Sequence, residues 1–485
     1  MKKRIVSVSL ALAIIMAMVG VVAAQTGIPG TGWWSGEQVQ NVGTAAANIV
    51  VTAYAATGAS TFSSSQSVAV GAAFTFIPSN FAGMPAGFVG SAVVSSDQPI
   101  KAIVNVTNNQ SGSLGVAGGL AAAQYQGTEV ADTALYFPLV KHNRFGKTTA
   151  FYIQNAGTAA ASVTAVFKMD TGGTYTKTVA SVDPNKMVLI NPIDALVPSV
   201  GGTGGRDNIG SLTVTSAQPL AGTVLEYVQG QPVATVLNGT RGFTASDFDT
   251  KVYAPIVKNN RFGRFTGIQV QNVSAGPVDI TVTYVGATGC TGTYTESATG
   301  VAAGSSKTFV QQGAGSPFPV NCIGAATITA NGNIVAIVNE GNLTGFAAAG
   351  TTYSALPNNS TTAKVSAPLF KDKRFGFSTG LQIQNVGAAA ATNVVVTFVC
   401  GGAASFTAIS TPQTIAAGAA KLFREPATMP AGTFTVANPF SSSNVSCSAT
   451  VTGDQSIVAI ANEGAQTAGT SARDPNNYEG FNLAP

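Results

Sequence analysis

Four copies of one pattern run along this chain, and an internal repeat of that length constrains the fold more than any other feature. Ser35-Gly36-Glu37-Gln38-Val39-Gln40-Asn41-Val42 returns as Thr266-Gly267-Ile268-Gln269-Val270-Gln271-Asn272-Val273. It returns again over Thr379–Val386 and more loosely over Phe151–Asn155. The asparagines Asn41, Asn155, Asn272 and Asn385 stand 114, 117 and 113 residues apart. A second block follows each of them, at Gly90–Asn105, Gly210–Leu225, Gly324–Asn339 and Cys447–Asn462. Two blocks sharing one spacing make a tandem array of homologous units.

Prolines place the unit boundaries. Pro138, Pro255 and Pro368 each precede the repeat asparagine by 17 residues, and the same offset from Asn41 falls on Ala24. The expected division is a leader over 1–24 and units over 25–138, 139–255, 256–368 and 369–485. Asn482-Leu483-Ala484-Pro485 is comparable with Val252-Tyr253-Ala254-Pro255. Each unit is thus expected to end on a strand that closes at Pro, a residue without an N–H to donate.

Within a unit the periodicity is two. In the third, Ile268, Val270 and Asn272 alternate with Gln269 and Gln271. After a Ser-Ala-Gly-Pro turn, Val278, Ile280, Val282 and Tyr284 alternate with Asp279, Thr281 and Thr283. Such alternation marks half-buried strands, and about seven of them per unit predict an immunoglobulin-like β-sandwich. The fold class is all-β: four tandem sandwiches in an elongated array. The stretch before each boundary carries one aromatic, Tyr125, Phe243, Tyr353 or Tyr478, and is read as an extra strand pinned by it.

The first residues set the compartment. Lys2, Lys3 and Arg4 precede an apolar run, and Val22-Ala23-Ala24 offers small residues for cleavage, the pattern of a secretory signal peptide. The formal charge of +4 includes those three cations, which leaves +1 on the mature chain and excludes a basic nucleic-acid binder. No membrane span is expected in the mature chain. Cys290 and Cys322 in the third unit, and Cys400 and Cys447 in the fourth, are read as one disulfide in each.

Signs of chemistry are sparse. The single histidine, His142, has Asn259 and Asp372 as counterparts and is read as a solvated hinge residue rather than a base. Glu226, Glu340 and Glu463 recur at strand ends and are read as edge-blunting charges. Lys258, Asn339 and Glu340 are a conceivable set for an isopeptide bond. No phosphate loop or metal motif stands out, and no cofactor is expected. The candidate contact residues lie at the unit junctions. Lys141, Arg144 and Phe145 recur as Lys258, Arg261 and Phe262, then as Lys371, Arg374 and Phe375. Each set puts a basic spot beside an aromatic, either a soluble linker or an anchor for acidic glycans or a neighbouring subunit. Trp33 and Trp34 are either core residues or a sugar-stacking platform.

The block Pro255–Val273, with its K-x-x-R-F-G and T-G-I-Q-V-Q-N-V elements, together with Gly90–Ile100 resembles the tandem extracellular β-sandwich repeats of secreted bacterial surface proteins. The resemblance covers nearly all of 25–485 and implies a structural, adhesive or assembly role without catalysis. The expected function is a non-enzymatic protein of the bacterial cell surface that forms a layer, sheath or filament. It would partner itself or neighbouring surface proteins. An adhesin or carbohydrate-binding protein is the alternative, with glycans as ligands.

Overall fold

The computed structural model describes residues 27–108, 121–199, 208–230, 235–287, 290–342, 350–374, 377–401, 406–423, 445–465 and 476–483. The expected leader lies outside them, as do Phe375 and Pro485. The chain is all-β, with strands joined by turns and short 3-10 segments such as Pro78–Asn80.

The first repeated block forms one strand in every repeat: Trp33–Asn41, Lys147–Asn155, Arg264–Asn272 and Phe377–Asn385. The second block forms a single long strand in repeats 2 to 4: Ile209–Val228, Cys322–Asn342 and Val445–Ala465. In repeat 1 it is broken into Gly90–Ser96 and Ile100–Asn108. Among the described residues, repeat 1 therefore holds separate three- and four-stranded sheets, whereas repeats 2, 3 and 4 form sheets of seven, eight and nine strands. Alternate residues close a core of their own in each repeat. Val39, Ile49 and Phe76 serve the first; Phe137, Phe151 and Leu212 the second; Val270, Ile280 and Ile328 the third; Ile383, Phe398 and Val451 the fourth. Each such side chain contributes about 1.5–3 kcal/mol on burial.

The boundary prolines do not end strands. The opening strands of repeats 2 to 4, Asp132–Lys141, Asp249–Asn259 and Thr362–Asp372, run across Pro138, Pro255 and Pro368. The ladder jumps at each proline, from Ala254↔Ala326 to Val257↔Gly324 in repeat 3 and from Ala367↔Ala449 to Phe370↔Cys447 in repeat 4. A β-bulge leaves residues out of the ladder, so a missing N–H costs nothing there. The bulge also turns the following residue, Leu139, Ile256 or Leu369, out of its own core.

Those turned-out residues join the repeats. Leu139 packs with Val335 and Ile337 of repeat 3, Ile256 with Val458 and Ile460 of repeat 4, and Leu369 with Ile103 of repeat 1. Serine hydroxyls run the same way round: Ser91 Oγ donates to Asn185 O, Ser211 Oγ to Gly304 O, and Ser448 Oγ to Gly71 O. Each repeat thus grips the next, and the fourth grips the first. Head-to-tail contacts that close make a cyclic arrangement. The elongated array expected from the sequence is corrected to a closed ring, because the outward bulge residue gives repeats 2, 3 and 4 a plug for their successors while Ser91 ties repeat 1 to repeat 2.

The aromatic-bearing stretches are strands at the ring's centre: Ala122–Gln126, Thr235–Arg241, Thr351–Ser354 and Asn476–Glu479. Each touches the next, and the last touches the first. Tyr353 Oη donates to Ile256 O and accepts from Ile256 N, and Tyr478 does the same for Leu369. The tyrosines therefore satisfy the backbone groups that the bulge removes from the ladder. In repeat 2, Phe243 lies just beyond the strand and bridges to Tyr136. The last strand among the described residues, Phe481–Asn482, pairs with Val365 and Ser366 of its own repeat, matching Leu356–Pro357 against Val252 and Tyr253 in repeat 3. The expected likeness of 482–485 to 252–255 is corrected accordingly.

Candidate functional site

The residues that carry the repeat signature have structural duties. Asn155 is fully buried, and its Nδ2 donates to Ala159 O and Val182 O at 2.8 Å each while its Oδ1 accepts from Gly157 N at 2.9 Å. Asn41, Asn272 and Asn385 make the same three bonds in their own repeats. The glutamines beside them face the seams. Gln38 Nε2 donates to Pro368 O at 3.3 Å, and Gln40 accepts from Ser366 Oγ.

The junction lysines are not free to meet a ligand. Lys141 pairs with Glu226 at 2.6 Å, Lys371 with Glu463 at 2.6 Å, and Lys258 with Glu340. Lys147 and Arg264 add second cations at 3.3 Å and 3.1 Å. The glutamates are buried partners of these ion pairs, which corrects their reading as edge charges. Burial raises the Glu226 carboxyl, but Lys141 and Lys147 outweigh it and hold it at about 2. Burial lowers Lys141, and Glu226 only partly offsets it. Repeat 1 has Val106 in the glutamate's place and Gly27 in the lysine's, so both partners change together. Asn339 bonds Thr352 rather than Lys258, so the isopeptide set is not assembled.

His142 is buried, with Nδ1 2.7 Å from Val197 O. Its reading as a solvated hinge is corrected: its counterpart Asn259 likewise bonds two carbonyls, Gly313 O and Phe318 O. Trp33 donates through Nε1 to Pro29 O at 3.0 Å and packs with Ile28 and Tyr152 in the seam between repeats 1 and 2. Trp34 pairs in the ladder with Thr107 and is half-buried. The four cysteines form Cys290–Cys322 and Cys400–Cys447.

The exposed groups stand at hairpin tips. Each tip joins an opening strand to the asparagine strand. Phe145 and Phe262 are 54% and 65% exposed, with left-handed φ angles of 51° and 53°. Arg144 and Arg261 lie over those rings at 4.5 Å each. A phenylalanine held left-handed costs about 1–2 kcal/mol. Arg374 stands at the equivalent tip of repeat 4, bridging to Phe377 as Arg144 does to Lys147 and Arg261 to Arg264.

The ring's centre is polar. Arg241 Nε donates to Gln126 Oε1 at 3.3 Å, Gln126 Nε2 to Glu479 O at 3.0 Å, and Ser354 N to Glu479 Oε1. Arg241 also grips Asp247 with two bonds, at 2.8 and 2.6 Å. Sequence reading missed this network because four unrelated residues share one structural position there.

No protein-family model and no curated protein matches the chain. Among solved structures it is similar to the crystal structure of Thermotoga maritima 1070, at 17% identity over 23% of this chain and 94% of that one, with a TM-score of 0.19. It is also similar to the crystal structure of a tetra-tandem repeat in the extending region of a large adhesion protein, at 11% identity over 94% and 96%, with a TM-score of 0.11. At these scores neither likeness bears on fold or function. Among the described residues no helix is long and apolar enough to cross a membrane, and no three His, Cys, Asp or Glu side chains gather as a metal site.

Proposed function

We propose that this is a non-catalytic structural protein of the bacterial cell surface, built from four immunoglobulin-like sandwich repeats that form one ring. The ring is the building block of a layer, sheath or filament. One observation carries the reading: the recurring residues clamp turns, plug seams or pair charges inside the ring, and the side chains left outward are contact groups. An exported protein with paired cysteines fits that compartment. Near-zero mature charge favours association over colloidal repulsion.

A second reading, an adhesin or glycan-binding protein, is favoured by the recurring Arg–Phe tips. Arginine held over an exposed ring suits anionic or stacking ligands. Negative-stain microscopy and light scattering of the exported protein test the first reading, which expects ordered arrays of ring-sized units. Monomers at every concentration would overturn it. Glycan-array binding that Phe145→Ala and Phe262→Ala abolish would instead establish the second.

A further inference from the structure

The outermost strand of each repeat differs in how it is guarded. Thr61–Val68, Thr174–Val182 and Thr293–Val301 are the end strands of their sheets, as Phe406–Ile409 is in repeat 4. An end strand offers free backbone N–H and C=O groups to any strand that comes alongside. Folded proteins blunt it with bulges, inward charges, proline or short length.

Three repeats carry such guards. In repeat 2 the ladder slips between Ala161 and Val163, and Lys177 stands on the core-facing side with Tyr175 and Val179. In repeat 3 it slips between Val278 and Ile280, and Glu296 stands on the core-facing side, where the buried Tyr284 donates to it. In repeat 4 the end strand is broken into Phe406–Ile409 and Gln413–Ile415, with Pro412 between them. Repeat 1 has none of these. Its ladder runs without a slip from Ala47↔Val68 to Tyr54↔Thr61. Ser64 takes the place of Lys177 and Glu296, opposite Val51 where they oppose Ala165 and Val282. Thr61–Val68 holds neither a charge nor a proline.

The alternation of the ladder shows which of its groups are free. Ala55 N donates to Ser60 O, so Phe62, Ser64, Gln66 and Val68 bond back to Ala47–Ala55, while Thr61, Ser63, Ser65 and Ser67 turn their backbone groups to the open side. Among the described residues one side chain reaches that row, Gln66 Nε2 donating to Ser67 O at 3.1 Å.

The composition of the row selects its partner. An edge that recruits a foreign strand carries charges or pockets that recognise it, and this one is serine, threonine and glutamine on its open side. Such a row is self-complementary, because a two-fold mate brings the same groups with no like charges opposed. Pairing about Ser65 sets Phe62 against the partner's Val68, Ser63 against the partner's Ser67 and Ser64 against the partner's Gln66. That register keeps the two core faces on one side of the joined sheet.

We propose that Thr61–Val68 is the surface by which a second copy of this chain docks, the two end strands pairing antiparallel about a two-fold axis into one continuous sheet. The proposal names the first contact between rings and so rests on the reading of the ring as a building block.

The test uses the full exported protein, with single and paired rings resolved by analytical ultracentrifugation across concentration. Pairs are expected. Ser64→Lys, which copies the guard of repeat 2, should raise the concentration of half-association about tenfold. Ser65→Cys should link two copies on mild oxidation, while Thr178→Cys, at the same place in the guarded strand of repeat 2, stays unlinked. The cysteine variants decide the matter even where Ser64→Lys weakens repeat 1 itself. Pairs or arrays that Ser64→Lys leaves unchanged, or equal linking through Thr178→Cys, would overturn the edge while leaving the building-block reading standing. Single rings at every concentration would sink both. Hydrogen exchange should show Thr61–Val68 open in single rings; protection there would also overturn the proposal, because the chain would then cover its own edge.

Discussion

At the scale of single residues, the repeat asparagine is a clamp. Its amide ties the carbonyl of the turn that follows to the carbonyl at the end of a strand 29 residues on, and its oxygen holds the backbone N–H two residues on. Asn272→Ala strands Gly276 O and Val301 O, and is expected to destabilise repeat 3 by about 2–4 kcal/mol in denaturant titration. Glu226 makes a different prediction. Its folded pKa near 2 lies below the ordinary 4.5, so its contribution is complete above pH 4.5 and is lost as the pH falls toward 2. Glu226→Gln is expected to cost about 3–5 kcal/mol at pH 7 and to flatten the acid limb of stability against pH. Unchanged stability at pH 7 would show that the two lysines do not depend on it.

Among elements, the opening strand is the most informative. Its first part belongs to the sandwich core, its proline makes the bulge, and the residue after the proline belongs to the neighbouring repeat. The alternation of Ile268 and Val270 with glutamines, and the paired cysteines, were legible because they are local. The bulge was not: proline marks a boundary in sequence equally well whether a strand ends or kinks there. Nor does one chain reveal that Gln38, outward on its own strand, is buried by a proline 330 residues away. Lys141 and Glu226 looked like separate surface charges because 85 residues part them, though their joint absence from repeat 1 was a readable sign. The disulfides predict element by element. Cys400–Cys447 sits on the strand ladder itself, and Cys290–Cys322 ties the turn after Val278–Gly286 to the start of the long strand of repeat 3. Reduction should remove about 3–4 kcal/mol from each of repeats 3 and 4 while leaving repeats 1 and 2 unchanged, as resolved by hydrogen exchange.

For the whole molecule, closure is the defining property. Beads on a string would tolerate loss of one bead. A ring would not, since removing 369–485 leaves Ile103 without Leu369 and Ile256 without Val458 and Ile460. The truncated chain is expected to associate in light scattering, whereas the intact chain shows no such dependence on these sites. A stable truncated monomer would argue that the seams contribute little.

Closure also fixes an order of events in synthesis. A chain made from its N-terminus must complete three repeats before the residues that seal the first one exist. During that interval an unfinished arc presents one sticky protrusion and one sticky hollow, each complementary to the other on a neighbouring molecule. Crowding would then weigh joining another chain's end against waiting for its own, so the rate of synthesis itself would decide between discrete rings and linked ones.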